Sequence, residues 1–323
     1  MSNAIQVHQP GGPEALRWEA VEVGAPGPGE VRIVQRAAGL NFIDVYHRTG
    51  AYPQALPFIP GVEGAGLVEA IGDGVTDFAV GDRVAYAGPI GGYAEVRLID
   101  ADRLIHLPDG INFDQAAAMM LQGMTARMLL RSVYAVKPGD TILVHAAAGG
   151  VGLILCQWAA ALGARVLGTV SSDAKADLAR AHGCHHPIVY TRSDFVAEAL
   201  RICDGEKLPV VYDSVGKDTF LHSFDCLAPR GLMVSFGQSS GAIEPFPPAI
   251  LAQKGSLFLT RPTLFTYIAD PADLQASAAE LFDVVALGKV AIEIHQRFAL
   301  AEAAEAHRAL EARRTTGSTI LIV

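Results

Sequence analysis

No cysteine precedes Cys156, and the four present, at 156, 184, 203 and 226, form no Cys-x-x-Cys pair. That spacing argues against a disulfide framework and against compact thiolate zinc clusters, and it reads as reduced structural thiols. Charge is also scarce. Only 18% of the 323 residues are charged, and the formal balance of -9 disfavours non-specific binding to nucleic acid or an anionic membrane. A small-molecule partner is the expectation. The opening MSNAIQVHQPGGPE lacks a basic patch followed by an apolar run, so it does not read as a secretory signal, and a cytoplasmic location is expected. The longest weakly charged stretch, Thr141 to Gly163, is interrupted by His145 and the glycines at 149, 150 and 152, which favours a buried strand-turn-helix over a membrane span. Nor does any nucleophile, charge-relay set or carboxylate pair stand out, leaving hydrolase chemistry without support.

What is present describes a well-packed chain with many turns: half the residues are apolar, with 33 glycines and 18 prolines. The length favours two domains, one of them discontinuous. Residues 1–125 read as β-rich, with runs such as Glu30 to Arg36 and Gly66 to Ile71 set between turn signals. Over residues 126–262 the texture changes. Strands predicted at Thr141 to His145, Arg165 to Val170, Pro187 to Tyr190, Val210 to Asp213, Leu232 to Phe236 and Ser256 to Thr260 alternate with helices, which predicts an α/β doubly wound parallel sheet. Over residues 263–323 the pattern predicts a helix at Pro271 to Leu287, a strand at Val290 to Ile294, a helix at Ala301 to Ala312 and a strand at Thr319 to Val323. This tail is expected to rejoin the first domain.

The strongest chemical signal is TILVHAAAGGVGLILCQWAAALGARVLGTV, Thr141 to Val170. An apolar strand enters a glycine turn that opens an apolar helix and returns to a second strand. Ala147, Gly149 and Gly152 occupy the three positions of G-x-G-x-x-G, the spacing that lets backbone approach a dinucleotide pyrophosphate at a helix N-terminus. An NAD enzyme usually keeps an acid at the end of the second strand, whereas here that strand ends in Ser171 and Ser172 with Lys175 close by. Hydroxyls and a lysine suit a 2′-phosphate, so NADPH is favoured. Asp173 sits nearby as a helix cap or a competing acid, and Tyr190 is placed to stack near the adenosine or simply to pack.

HAAAGGVG, NFIDVYHRTGAYP at Asn41 to Pro53, VVYDSVG at Val210 to Gly216 and RGLMVSFGQSSG at Arg230 to Gly241 together resemble bacterial NADPH:quinone oxidoreductases of the zeta-crystallin-like branch. The branch belongs to the zinc-free medium-chain dehydrogenases and reductases, and the resemblance spans essentially the whole chain. It implies a GroES-like catalytic domain from both chain ends, a Rossmann domain between them, a cofactor cleft at their junction, and a homodimer. It also implies Asn41, Asp44 and Tyr46 beside the nicotinamide, and Gly123 and Thr125 at the crossing between domains. Ala148, Gly149, Gly150 and Val151 are implied at the pyrophosphate, and Ser171, Lys175 and Tyr190 at the 2′-phosphate. Ser214, Phe236, Gly237 and Arg261 are implied on the far wall, with Ser318 at the C-terminal wall. Gln122 departs from the lysine that related sequences can carry.

Zinc alcohol dehydrogenases resemble G-H-E where this chain has Gly61-Val62-Glu63, and valine ligates no metal. His182, His185 and His186 read as exposed loop histidines, so no metal is expected. Without a Lewis acid, hydride delivery to a quinone needs positioning and hydrogen bonds to the developing oxyanion, for which Asn41, Tyr46 and Tyr52 are the candidate catalytic residues. Reduction of an enone or enal double bond is the alternative chemistry. A non-catalytic NADPH-dependent binding role, lens-type or RNA-binding, is the alternative class.

Overall fold

The computed structural model describes residues 2–323. The chain divides into two compact units. The first comprises residues up to Met124 with Ile268–Phe282 and Ile292–Val323; the second comprises Thr125–Tyr267 with Asp283–Ala291.

The second unit carries a six-stranded parallel sheet. Its spatial order is His186–Val189, Arg165–Val170, Thr141–Val144, Leu208–Asp213, Leu227–Ser235 and Phe258–Thr260. Numbered along the chain that order is 3-2-1-4-5-6, the doubly wound arrangement in which the strand order reverses next to the first strand. The central strands are buried on both faces, which is why they read as continuous apolar runs rather than alternating ones. Leu143, Leu167, Val211, Phe220, Phe224 and Met233 form much of the core on one face. The Thr141 to Gly163 stretch folds as a strand, a turn and the helix Gly150–Ala161, and no helix among the described residues is long and apolar enough to cross a membrane.

The first unit is built on a seven-stranded sheet, in which the long strand Glu30–Leu40 pairs with Glu63–Ile71, Val96–Asp100 and the C-terminal Ser318–Ile322, all antiparallel. The chain's last strand therefore lies directly beside the strand that leads to Asn41.

Three expectations need correction. The predicted strand at Val290 to Ile294 is not one; the strand is Ile294–Ala299, parallel to Ser318–Ile322. The N–H groups of Lys289 and Val290 instead bond back to the Val284 carbonyl, closing the helix Pro271–Ala286, and the Val290 side chain is buried. The predicted edge strand Ser256 to Thr260 begins only at Phe258, because Ser256 adopts a φ of 56° that no strand tolerates. Leu257 consequently packs into the core, leaving Phe258 and Leu259 on the outer strand. The three histidines are not simply exposed loop residues. His186 starts a strand and accepts from Arg165 Nε at 3.1 Å, His185 Nδ1 accepts from the Val166 N–H at 3.0 Å, and the His182 ring bonds the Leu178 carbonyl at 2.8 Å. His185 and His186 brace the strand entry, and His182 closes the end of the helix Asp173–Ala181.

Candidate functional site

The sequence-predicted residues fall into two groups, each within one unit. In the first, the strand Glu30–Leu40 ends in Asn41, which turns the chain into the helix Phe42–Arg48. Asp44 stands at the third helical position and accepts from the Asn41 backbone N–H at 2.9 Å, satisfying a donor that the helix start leaves orphaned. This frees the Asn41 side chain for other partners. Its Nδ2 donates to Glu63 Oε1 at 2.6 Å, and its Oδ1 accepts from Gln122 Nε2 at 3.1 Å. The chain of bonds continues outward: the Ser318 hydroxyl lies 2.7 Å from Gln122 Oε1 and 3.0 Å from the Ala118 carbonyl, and Glu63 Oε2 accepts from the Leu121 N–H at 2.7 Å. With the amides as placed, donors run from Ser318 through Gln122 and Asn41 to Glu63, so turning the Asn41 amide alone would break two buried bonds.

Glu63 is wholly buried, and burial pushes its pKa up to about 8 against the opposing bonds from Asn41 and Leu121. Gly39 makes this possible: a Cβ there would overlap Glu63 Oε1 and the Ala117 carbonyl. Burial likewise raises Asp44 to about 7, although the Asn41 N–H and the Tyr93 hydroxyl, 2.8 Å away, favour its ionised form. Behind Asp44 the network runs outward. Arg48 can only donate, so at 3.2 Å it fixes His307 Nδ1 as an acceptor, and His307 Nε2–H then faces the Tyr93 hydroxyl at 3.3 Å. Arg48 itself is buried and forked onto Glu311 at 2.8 and 2.9 Å. Burial, with Arg48 alongside, lowers His307 to about 3 and keeps it neutral. Tyr46 and Tyr52 come together with ring centroids 5.1 Å apart, and the Tyr52 N–H bonds the Tyr46 carbonyl at 3.0 Å. Gly123 lies in the helix Met120–Arg127 where a Cβ would sit 2.5 Å from Leu281 Cδ1, so its role in this unit is close packing. Thr125, in the same helix, begins the second unit.

In the second unit Ala148, Gly149, Gly150 and Val151 form the turn into the helix Gly150–Ala161, whose N-terminus no side chain caps. A Cβ at Gly152 would lie 2.9 Å from the Ala147 Cα and overlap the Ala146 carbonyl, so this position demands glycine. A helix start with no side-chain cap behind a turn this tight leaves N–H groups open to an anion, and the residues fit a dinucleotide pyrophosphate. Ser171 follows the strand Arg165–Val170, and Ser172 caps Lys175 N at 3.3 Å. Tyr190 is exposed and its N–H bonds the Val170 carbonyl at 3.1 Å. Ser214, Phe236, Gly237 and Arg261 converge at the ends of the next strands. Arg261 Nη1 donates to Ser235 Oγ at 2.9 Å and to the Gly237 carbonyl at 3.1 Å, and a Cβ on Gly237 would meet the Ser214 carbonyl at 2.6 Å.

Sequence reasoning missed Tyr93, His307, Arg48 and Arg192, and gave Glu63 no role. Only the polar residues at buried register positions, Glu63 and Tyr93 among them, carried any signal. Val62, which stands where the resemblance implies a zinc-ligating histidine in the zinc enzymes, is buried. No group of three or more metal-binding side chains occurs among the described residues.

Comparison with known proteins follows the same division. The family model of the alcohol dehydrogenase GroES-like domain matches residues 27–109, and that of the zinc-binding dehydrogenase matches residues 150–281. The chain is 56% identical to a quinone oxidoreductase of Pseudomonas aeruginosa, with both chains covered in full. It is 44% identical to a 2-haloacrylate reductase of a Burkholderia species, covering all of this chain and 99% of that one. Among solved structures, a quinone oxidoreductase of Pseudomonas syringae superposes with a TM-score of 0.98 at 53% identity, each chain covered in full. The Escherichia coli quinone oxidoreductase complexed with NADPH gives 0.98 at 46%, covering 99% of this chain and all of that one.

Proposed function

The chain belongs to the quinone oxidoreductase family of medium-chain dehydrogenases and reductases, and from that premise we propose an NADPH:quinone reductase that works without zinc. The carrying observation is a complete dinucleotide turn in a chain whose ligand position for catalytic metal is the apolar Val62. Residues 1–125 and 263–323 serve as the catalytic domain and 126–262 as the NADPH domain.

Bound NADPH supplies the hydride. Ala148, Gly149, Gly150 and Val151 hold its pyrophosphate through main-chain N–H groups. Ser171, Lys175 and Tyr190 take the 2′-phosphate end, and Ser214, Phe236, Gly237 and Arg261 line the far wall. Asn41, Asp44 and Tyr46 stand by the nicotinamide, with Gly123, Thr125 and Ser318 completing the wall. The amide of Asn41, locked by Glu63 and Gln122, presents one fixed orientation to the reacting groups. Here Gln122 does by hydrogen bonding what a lysine would do by charge. Tyr46 and Tyr52 donate hydrogen bonds to the oxygen that gains charge as hydride arrives, the electrostatic help a conjugated acceptor needs. The protein acts as a homodimer, a reading supported by the exposed Phe258 (61%) and Leu259 (36%) on an edge strand that otherwise invites uncontrolled pairing.

Steady-state kinetics with NADPH against quinones, enones and alcohols tests the reading. Quinone turnover without alcohol oxidation is expected. Enone reduction with no quinone turnover transfers the assignment to the second reading, for which the 2-haloacrylate reductase relative is the motive. The same preparation should contain no stoichiometric zinc by elemental analysis and should scatter light as a dimer; one zinc per chain lost together with activity, or a monomer mass at micromolar concentration, overturns the corresponding part.

A further inference from the structure

Asp173 opens the helix Asp173–Ala181, three residues past the strand end at which an NAD enzyme keeps the acid that grips the ribose hydroxyls. Left alone, its charge would repel an adenosine 2′-phosphate. It is not left alone. Arg192 Nη1 donates to Asp173 Oδ2 at 2.7 Å and Nη2 to Oδ1 at 2.5 Å, a two-point fork across the ends of neighbouring strands. The main chain around the pair is braced: Tyr190 N–H bonds the Val170 carbonyl at 3.1 Å, and the Thr191 hydroxyl bonds the Ser171 carbonyl at 3.2 Å. Arg192 therefore follows the tyrosine assigned to the 2′-phosphate and faces the acid that follows the serine assigned to it. Both side chains are exposed, at 60% and 68%, so the pair adds little to stability. Its consequence is local charge. With Asp173 cancelled, its carboxylate no longer opposes a 2′-phosphate beside Ser171.

We propose that Arg192 is a selectivity residue for the cofactor, acting through Asp173: by engaging and cancelling that nearby carboxylate it lets this strand end admit a 2′-phosphate. The proposal rests on the NADPH reading above.

Isothermal titration of NADPH, NADH and 2′,5′-ADP into the full-length parent, Arg192→Ala, Arg192→Lys and Arg192→Ala/Asp173→Asn tests it. Arg192→Ala should weaken NADPH and 2′,5′-ADP by about tenfold, as expected of an unmasked like charge, with NADH changed by less than about twofold. Arg192→Lys should keep most of the NADPH affinity. The double variant should recover most of what the single variant loses. A single variant with no selective loss overturns the proposal. So does a loss that Asp173→Asn fails to recover, because Arg192 would then act on the phosphate directly. Equal affinity of the parent for NADPH and NADH defeats the underlying cofactor reading, and the two failures are thus distinguishable.

Discussion

In the second unit the nucleotide turn is made of main chain: Gly149, Gly150 and Gly152 bring N–H groups to a helix start with no charged side chain taking part. In the first unit the Asn41 amide is held by the side chains of Gln122 and Glu63, with Ser318 behind Gln122 and a second run of Asp44, Tyr93, His307 and Arg48 behind its backbone. A main-chain site tolerates almost any side chain that leaves the backbone path unchanged. A side-chain network tolerates none that leaves a buried donor or acceptor unpaired. The two halves should therefore fail differently under mutation.

The sharpest break is Gly152→Ala. The added Cβ has only backbone to push against, so the turn must move, and NADPH affinity should fall on the order of 100-fold, as displacement of a positioned group by about 1 Å can cost. Calorimetric titration checks it; an affinity within a few-fold of the parent would refute the main-chain account.

Removing the acceptor at the end of the Asn41 network comes next. Glu63→Ala strands Asn41 Nδ2 and the Leu121 N–H in a buried space and should cost about 2 kcal/mol, seen as a lower Tm. Glu63→Gln should cost less while changing the pH dependence. Burial raises Glu63 from 4.5 to about 8 and Asp44 from 3.8 to about 7, so the folded chain holds these protons more tightly than the unfolded one. Their contribution to stability is therefore full below about pH 4 and is lost as pH rises through about 7 to 8. Melting curves from pH 5 to 9 should show this fall, flattened in Glu63→Gln. An unaltered slope would remove Glu63 from the explanation.

The smallest effect concerns the paired tyrosines. Tyr46→Phe and Tyr52→Phe should each lower quinone turnover about five-fold, the worth of one hydrogen bond near 1 kcal/mol, while NADPH affinity stays near that of the parent. Equal losses in turnover and NADPH affinity would instead make the pair part of the cofactor cradle. That outcome would narrow the contrast between the two halves.

The nucleotide half was legible because its determinants are local. A strand, a glycine turn and a helix occupy consecutive residues from Thr141 to Ala161, and only glycine fits where a Cβ would strike the Ala146 carbonyl. The alternation that follows, with buried runs of strand length, is enough to imply the parallel sheet. Periodicity failed at Val290 to Ile294, whose apolar alternation matches a strand while the Val290 N–H closes a helix and the Ala291 N–H goes to the Gln157 side chain. It failed again at Leu257, because one left-handed residue delays the strand and sends that side chain inward.

By itself the amino-acid sequence determined the doubly wound sheet, the glycine turn into the helix Gly150–Ala161, a valine at position 62 and the membership of Asn41, Tyr46 and Tyr52 in one segment. Those features depend on neighbours in sequence or on what a side chain cannot do. Only the tertiary structure decided which partners orient Asn41, since Glu63, Gln122 and Ser318 reach it from sequence separations of 22, 81 and, through Gln122, a further 196 residues. It alone joined Arg192 to Asp173, two exposed charges that any solvated face might carry. Hydrogen bonds and ion pairs act over a few ångströms, and which side chains come that close is set by strand pairing and packing, not by position along the chain.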